Sequence, residues 1–84
     1  MKKLIKRNYD STVKRGYITP STTEKEFYHK MIEELMEFNE AKGEAKYIEC
    51  ADIILTCMNF LTHNNVDVME VLRNKIQYNE QRTD

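Results

Sequence analysis

Apolar positions along the chain recur at three- and four-residue spacing and no run sustains a two-residue alternation, the pattern of helices joined by short loops. Four helices are predicted. The first, roughly Lys2 to Arg15, is weakly amphipathic through Leu4, Ile5, Tyr9 and Val13, and Gly16 after Lys14 and Arg15 marks its stop. Beyond the loop GYITPS, Ser21 with Glu24 forms a capping-box pattern that opens a second helix through Phe27, Met31, Leu35 and Phe38 to Lys42, ahead of Gly43. The third, about Glu44 to Leu61, is apolar over most of its circumference in ADIILTCMNFL, as a central helix surrounded by others would be. After a turn at His63-Asn64-Asn65, Asp67 with Glu70 starts a fourth helix that runs through Arg82.

The chain of 84 residues is expected to be one all-α domain, 1–84, with a core near the lower limit for self-sufficiency, so association of copies is expected. Thirteen basic and 14 acidic residues leave a net charge of −1. That balance lacks the electrostatic footprint of nucleic-acid or membrane-surface binding. Cys50 and Cys57 lie seven apart in a predicted helix, about 10 Å between Cα atoms and too far for a bridge, so reduced thiols in the cytoplasm are expected. The opening MKKLIKR continues into NYDSTVKRGY, with no apolar leader core and no stretch approaching a membrane span.

Charge changes the picture on the second helix. At about 100° per residue Glu34 falls inside the stripe of Phe27, Met31, Leu35 and Phe38, where a core residue belongs, and Glu37 lies one turn on at the stripe's edge. Glu33 points outside and reads as solvated. The third helix repeats the spacing in Glu49 and Asp52, with Thr56 and Asn59 continuing one narrow polar edge. Four converging carboxylates cannot remain ionised in a low-dielectric interior without a counter-charge. All-oxygen ligands favour a hard cation, and Mg²⁺, which commonly bridges to phosphate oxygens, fits better than Zn²⁺. A phosphorylated substrate is therefore expected. On the fourth helix Lys75, Asn79 and Arg82 share a stripe with Val68 and Leu72, a set suited to a polyphosphate.

These residues carry a resemblance. Glu33-Glu34-x-x-Glu37 followed by Glu49-x-x-Asp52 resembles the EExxE…ExxD signature of MazG-like nucleotide pyrophosphohydrolases, and Lys75-x-x-x-Asn79-x-x-Arg82 resembles the KxxxNxxR helix that ends many short members. The likeness spans roughly Glu24 to Arg82. It implies a four-helix MazG-like bundle assembled as a homodimer or homotetramer. It implies Mg²⁺-dependent hydrolysis of the α–β phosphate bond of nucleoside triphosphates to a monophosphate and pyrophosphate. It also implies metal-binding and catalytic roles for Glu34, Glu37, Glu49 and Asp52, and substrate contact for Lys75, Asn79 and Arg82. Phosphoribosyl-ATP pyrophosphohydrolase shares the fold type and acid pattern, but the Lys75, Asn79 and Arg82 helix favours the nucleotide-pool branch.

An alternative of a different class is a non-catalytic helical oligomer, regulatory or accessory, in which the acids hold a structural metal. His29 and His63 lie at no metal-ligand spacing and are expected on the surface or in loops. Phe60 and Met36, off the main stripes, are expected at an oligomer contact.

Overall fold

The computed structural model describes residues 1–83 and is all-helical, with no strand among the described residues. Its elements are α1 (Lys2–Lys14), α2 (Glu24–Glu40), α3 (Ala45–His63) and α4 (Val68–Glu80). Helix α3 packs against each of the other three, most extensively against α2, as its apolar sequence predicts for a central helix. No described helix is long and apolar enough to cross a membrane.

Local chemistry sets the boundaries. Helix α1 ends in a Schellman arrangement, with the Gly16 N–H donating to the Val13 carbonyl at 2.9 Å and the Tyr17 N–H to the Thr12 carbonyl at 3.2 Å. Gly16 takes φ +84° there, which glycine adopts without steric cost. Asn65 does the same work after α3 at φ 59°, and Val66 N–H reaches back to the Leu61 carbonyl. The start of α2 differs from expectation. Its cap is Thr23 and its box partner Glu26, not Ser21 and Glu24: Glu26 N–H donates to Thr23 Oγ1 at 3.2 Å, and Thr23 N–H to Glu26 Oε2 at 2.7 Å. Ser21 is taken by a turn over Pro20, closed by the Thr22 N–H on the Thr19 carbonyl and by the Thr19 N–H on Thr22 Oγ1. At the other end α2 stops at Glu40 rather than Lys42, because Ala41 is already extended. Asp67 caps α4 by accepting from the Glu70 N–H, and the helix closes at Glu80, two residues short of Arg82.

The apolar core is small: Ile5, Ile18, Phe27 and Val68. Phe27 meets Phe60 edge-on at 5.5 Å between ring centroids and His63 at 5.1 Å. Phe60 thus packs against Phe27 within the chain while remaining half-buried, and Met36 is exposed. His63 likewise departs from the surface role expected of it. Its Nε2 lies 2.9 Å from the Thr22 carbonyl, which can only accept, so the neutral ring carries its proton there and Nδ1 accepts from the Tyr9 hydroxyl at 2.9 Å. One imidazole thereby ties α1, the 16–23 loop and α3 together. A Tyr9→Phe substitution deletes that donor and leaves Nδ1 unpaired, at a cost of about 1 kcal/mol. Faster amide exchange in α1 than in α2 or α3 is the expected sign, and unchanged exchange refutes it.

The inner face of α3 is polar. Thr56 and Asn59 are buried; Asn59 donates to Thr12 Oγ1 at 3.3 Å and accepts from the Asn8 amide at 3.0 Å, while Thr56 donates to the Asp52 carbonyl at 2.8 Å. The apolar residues of the same helix face outward in part, with Ile48 and Ile54 exposed beside the free thiols of Cys50 and Cys57. Leu35, placed by its spacing in the α2 core stripe, is also exposed. The radius of gyration of 14.3 Å exceeds the roughly 12 Å of a compact chain this long, so these uncovered faces belong to an open arrangement.

Candidate metal centre

Helices α2 and α3 are consecutive and antiparallel neighbours, and the capping box at Thr23 and the tight Gly43 turn fix their phase against each other. The Lys46 ammonium donates to the Phe38 carbonyl at 2.8 Å and sits 4.5 Å from the Phe38 ring centre, closing the C-terminal end of α2 onto the start of α3. With that end held, the polar edges of the two helices meet.

Carboxylate oxygens of Glu34, Glu49 and Asp52 all lie within 4.8 Å of one another. Glu34 is 95 % buried by its 5 % exposure, Glu49 and Asp52 are half-buried, and Glu37 stands exposed at the rim. Two oxygens, Oε2 of Glu34 and Oε2 of Glu49, are buried with no hydrogen-bond partner. A buried carboxylate oxygen without a partner carries an unrepaid desolvation cost, which a cation at the cluster would relieve. The donor set fits a hard divalent cation: it is all oxygen, and ligand oxygens on opposite sides of Mg²⁺ or Ca²⁺ stand about 4–5 Å apart.

One resident cation already touches the cluster. Lys30 Nζ lies 3.0 Å from Glu34 Oε1 and 3.8 Å from Glu33 Oε1. The Glu34 hydrogen bond raises the Lys30 pKa above its ordinary value. It is half exposed and reaches one oxygen of one acid, so it neutralises a fraction of the charge gathered there. Lys30 was visible in the sequence only as an ordinary i, i+4 partner of Glu34, with nothing in the spacing to set it apart.

The carboxyl of Glu37 is held above the usual carboxylate range, chiefly by the charge of Glu34, with partial desolvation, the close approach of Glu34 and the charge of Glu49 adding and Lys30 opposing. For a carboxylate raised on folding, the repulsion exists above the folded pKa and is relieved as pH falls through it. The metal-free protein is therefore expected to gain stability on mild acidification from neutrality, and to lose divalent-metal affinity over the same interval as protons compete for Glu37. Melting curves in EDTA at successive pH values test the sign; a melting temperature that only falls below neutrality refutes it.

Lys75 and Asn79 on the exposed length of α4 come together with Arg82 just beyond its end as a second group. Lys75 Nζ stands 4.6 Å from the Tyr78 ring centre and the Arg82 guanidinium 5.9 Å from it, with Arg82 donating to the Asn79 side-chain oxygen at 3.3 Å. The positive charge acting on Glu37 is that of Lys30 rather than of these α4 cations. The structure thus brings three of the four predicted acids, Glu34, Glu49 and Asp52, within metal-ligand distance of one another, leaves Glu37 exposed at the rim, and places the three predicted phosphate contacts elsewhere. The chain matches no family model, and no curated protein or solved structure matches it.

Proposed function

We propose that the protein is a Mg²⁺-dependent nucleoside triphosphate pyrophosphohydrolase that works as a homo-oligomer, a homodimer or homotetramer of four-helix MazG-like chains. The observation that carries the reading is the pair of partnerless buried oxygens on Glu34 and Glu49, since an acid cluster built to stay paired internally would satisfy them. Glu34, Glu49 and Asp52 would hold the metal, with Glu37 beside them at the solvent edge. Mg²⁺, when bound, supplies charge neutralisation for the polyphosphate and lowers the pKa of water near it.

Glu37 is the acid suited to proton transfer. It has solvent access and lies close enough to Glu34 and Glu49 to feel their charge, at the edge of the site where the metal would be held. In the proposed step the oxygen of a water bonds to the α-phosphorus and its proton passes to Glu37. The bridging bond to the β-phosphate breaks, and the electron pair leaves on pyrophosphate. Lys75, Asn79 and Arg82 would hold phosphate oxygens, Lys75 as a point charge and Arg82 as a planar fork.

The test is pyrophosphate release from a panel of ribo- and deoxyribonucleoside triphosphates with Mg²⁺ and then with EDTA. Metal-dependent release is expected, with loss of essentially all turnover on chelation. Release that survives EDTA overturns the metal's role. Divalent binding without turnover of any nucleotide, phosphoribosyl-ATP included, overturns the enzyme and leaves a non-catalytic metal-binding oligomer.

A further inference from the structure

The two oxygens of Glu34 stand in different surroundings. Oε1 takes the Lys30 ammonium at 3.0 Å, while Oε2 is buried and has no hydrogen-bond partner. Glu34 is 5 % exposed, so bulk water is poorly placed to substitute at either oxygen.

Helix energetics gives little reason for the Lys30 contact. A lysine one turn ahead of a glutamate is the less favourable order for an i, i+4 pair, since neither charge then complements the helix dipole. Glu33 offers the same ammonium a solvated carboxylate, yet Lys30 stands 3.8 Å from it and closer to the buried acid.

This division of Glu34 bears on which cation the acids can hold. Mg²⁺ demands a near-ideal octahedron and keeps several waters in it, whereas Ca²⁺ accepts a looser shell of about 6–8 oxygens and often takes both oxygens of one carboxylate. Glu34, Glu49 and Asp52 each bring one oxygen within 4.8 Å of the others. With water these suffice for an octahedron. A larger shell calls for a second oxygen from a carboxylate, and on the most buried acid that oxygen is the one Lys30 holds. Ca²⁺ has to displace the ammonium to claim it, and Mg²⁺ does not.

We infer that Lys30 is a positioning residue that sets the cation specificity of the cluster: by occupying Oε1 it confines Glu34 to ligation through Oε2, and so disfavours Ca²⁺ relative to Mg²⁺. The inference rests on the metal site of the proposed function and not on the nucleotide chemistry.

The experiment titrates MgCl₂ and CaCl₂ separately into the metal-free full chain in a calorimeter, for wild type, Lys30→Met and Lys30→Arg. Methionine keeps an unbranched, helix-compatible side chain and removes both the charge and the donor. Loss of the charge strengthens both divalent ions by nearly the same factor and cancels from the ratio of their dissociation constants. Release of Oε1 acts on Ca²⁺ alone. In Lys30→Met the ratio is expected to move toward Ca²⁺ by about fivefold, the equivalent of the roughly 1 kcal/mol that bounds a partly exposed ion pair. Lys30→Arg, which keeps a charged donor for Oε1, is expected to hold the wild-type ratio. A ratio unmoved in Lys30→Met, with both ions merely tighter, overturns the inference and leaves the metal site standing, as does a move toward Mg²⁺. A chain that binds neither ion overturns the site and the inference together. The shifted ratio in a protein that releases no pyrophosphate supports the inference and refutes the nucleotide chemistry.

Discussion

Glu34→Gln is expected to lower Mg²⁺-dependent pyrophosphate release by about 100-fold or more and, in the same protein, to raise the melting temperature without metal. The two effects share one cause. Glu34 is the most buried of the four acids, its Oε2 has no hydrogen-bond partner, and its carboxylate lies within 4.8 Å of that of Glu49, whose Oε2 is also partnerless. The amide removes one negative charge and can donate a hydrogen bond to Glu49, a gain of about 1 kcal/mol, or about 4–8 °C for a chain of this size. Against it stands the lost contact of Lys30, whose half-exposed ammonium returns to water at a cost of at most about 1 kcal/mol. The same change would take a charged oxygen from the proposed metal site, and even outer-shell substitutions at metal sites cost about 10- to 100-fold. Calorimetry in EDTA and a pyrophosphate assay read the two arms. A variant that keeps full turnover removes Glu34 from the metal site, and one that melts lower with turnover intact makes it a structural acid.

Phe27→Ala is expected to leave most of the chain unfolded. Among the described residues Phe27 is one of four buried apolar side chains, and it joins α2 to α3 through Phe60 and His63. Truncating a buried phenylalanine costs about 3–5 kcal/mol, while a chain of this length commands about 4–12 kcal/mol in all. Loss of half or more of the helical circular dichroism signal is expected at micromolar concentration, with Phe27→Leu retaining most of it. Native ellipticity and cooperative melting in Phe27→Ala would show that the stability lies elsewhere.

The sequence makes the helix count and the acid cluster readable because both follow from period alone. Glu34 stands out as an acid on an apolar stripe, and the edge of Thr56 and Asn59 lies inward as its phase requires. What stayed hidden depends on partners distant along the chain. His63 acquires its role from Tyr9 and from the Thr22 carbonyl, neither of which any local pattern links to it. The α2 cap was ambiguous because Ser21 and Thr23 each precede a glutamate by three, and only the Thr19–Thr22 turn decides between them. Leu35 illustrates the opposite error: its spacing places it on the stripe, but periodicity says which residues share a face and not whether one chain suffices to cover it.

The connection between α2 and α3 has a consequence for how the site comes into being. All four acids lie on one uninterrupted helical hairpin, closed by the short segment 41–44 and clamped by Lys46 on Phe38. Loop-closure entropy grows with the length of chain enclosed, so bringing Glu34 and Glu37 against Glu49 and Asp52 costs little. Contacts so local are expected to form early in folding, before α1 is fastened through His63. The mutual repulsion of the carboxylates is therefore met at the first stage of assembly, and a divalent cation held by the cluster, as proposed, would be a ligand of the folding hairpin as well as of the finished protein.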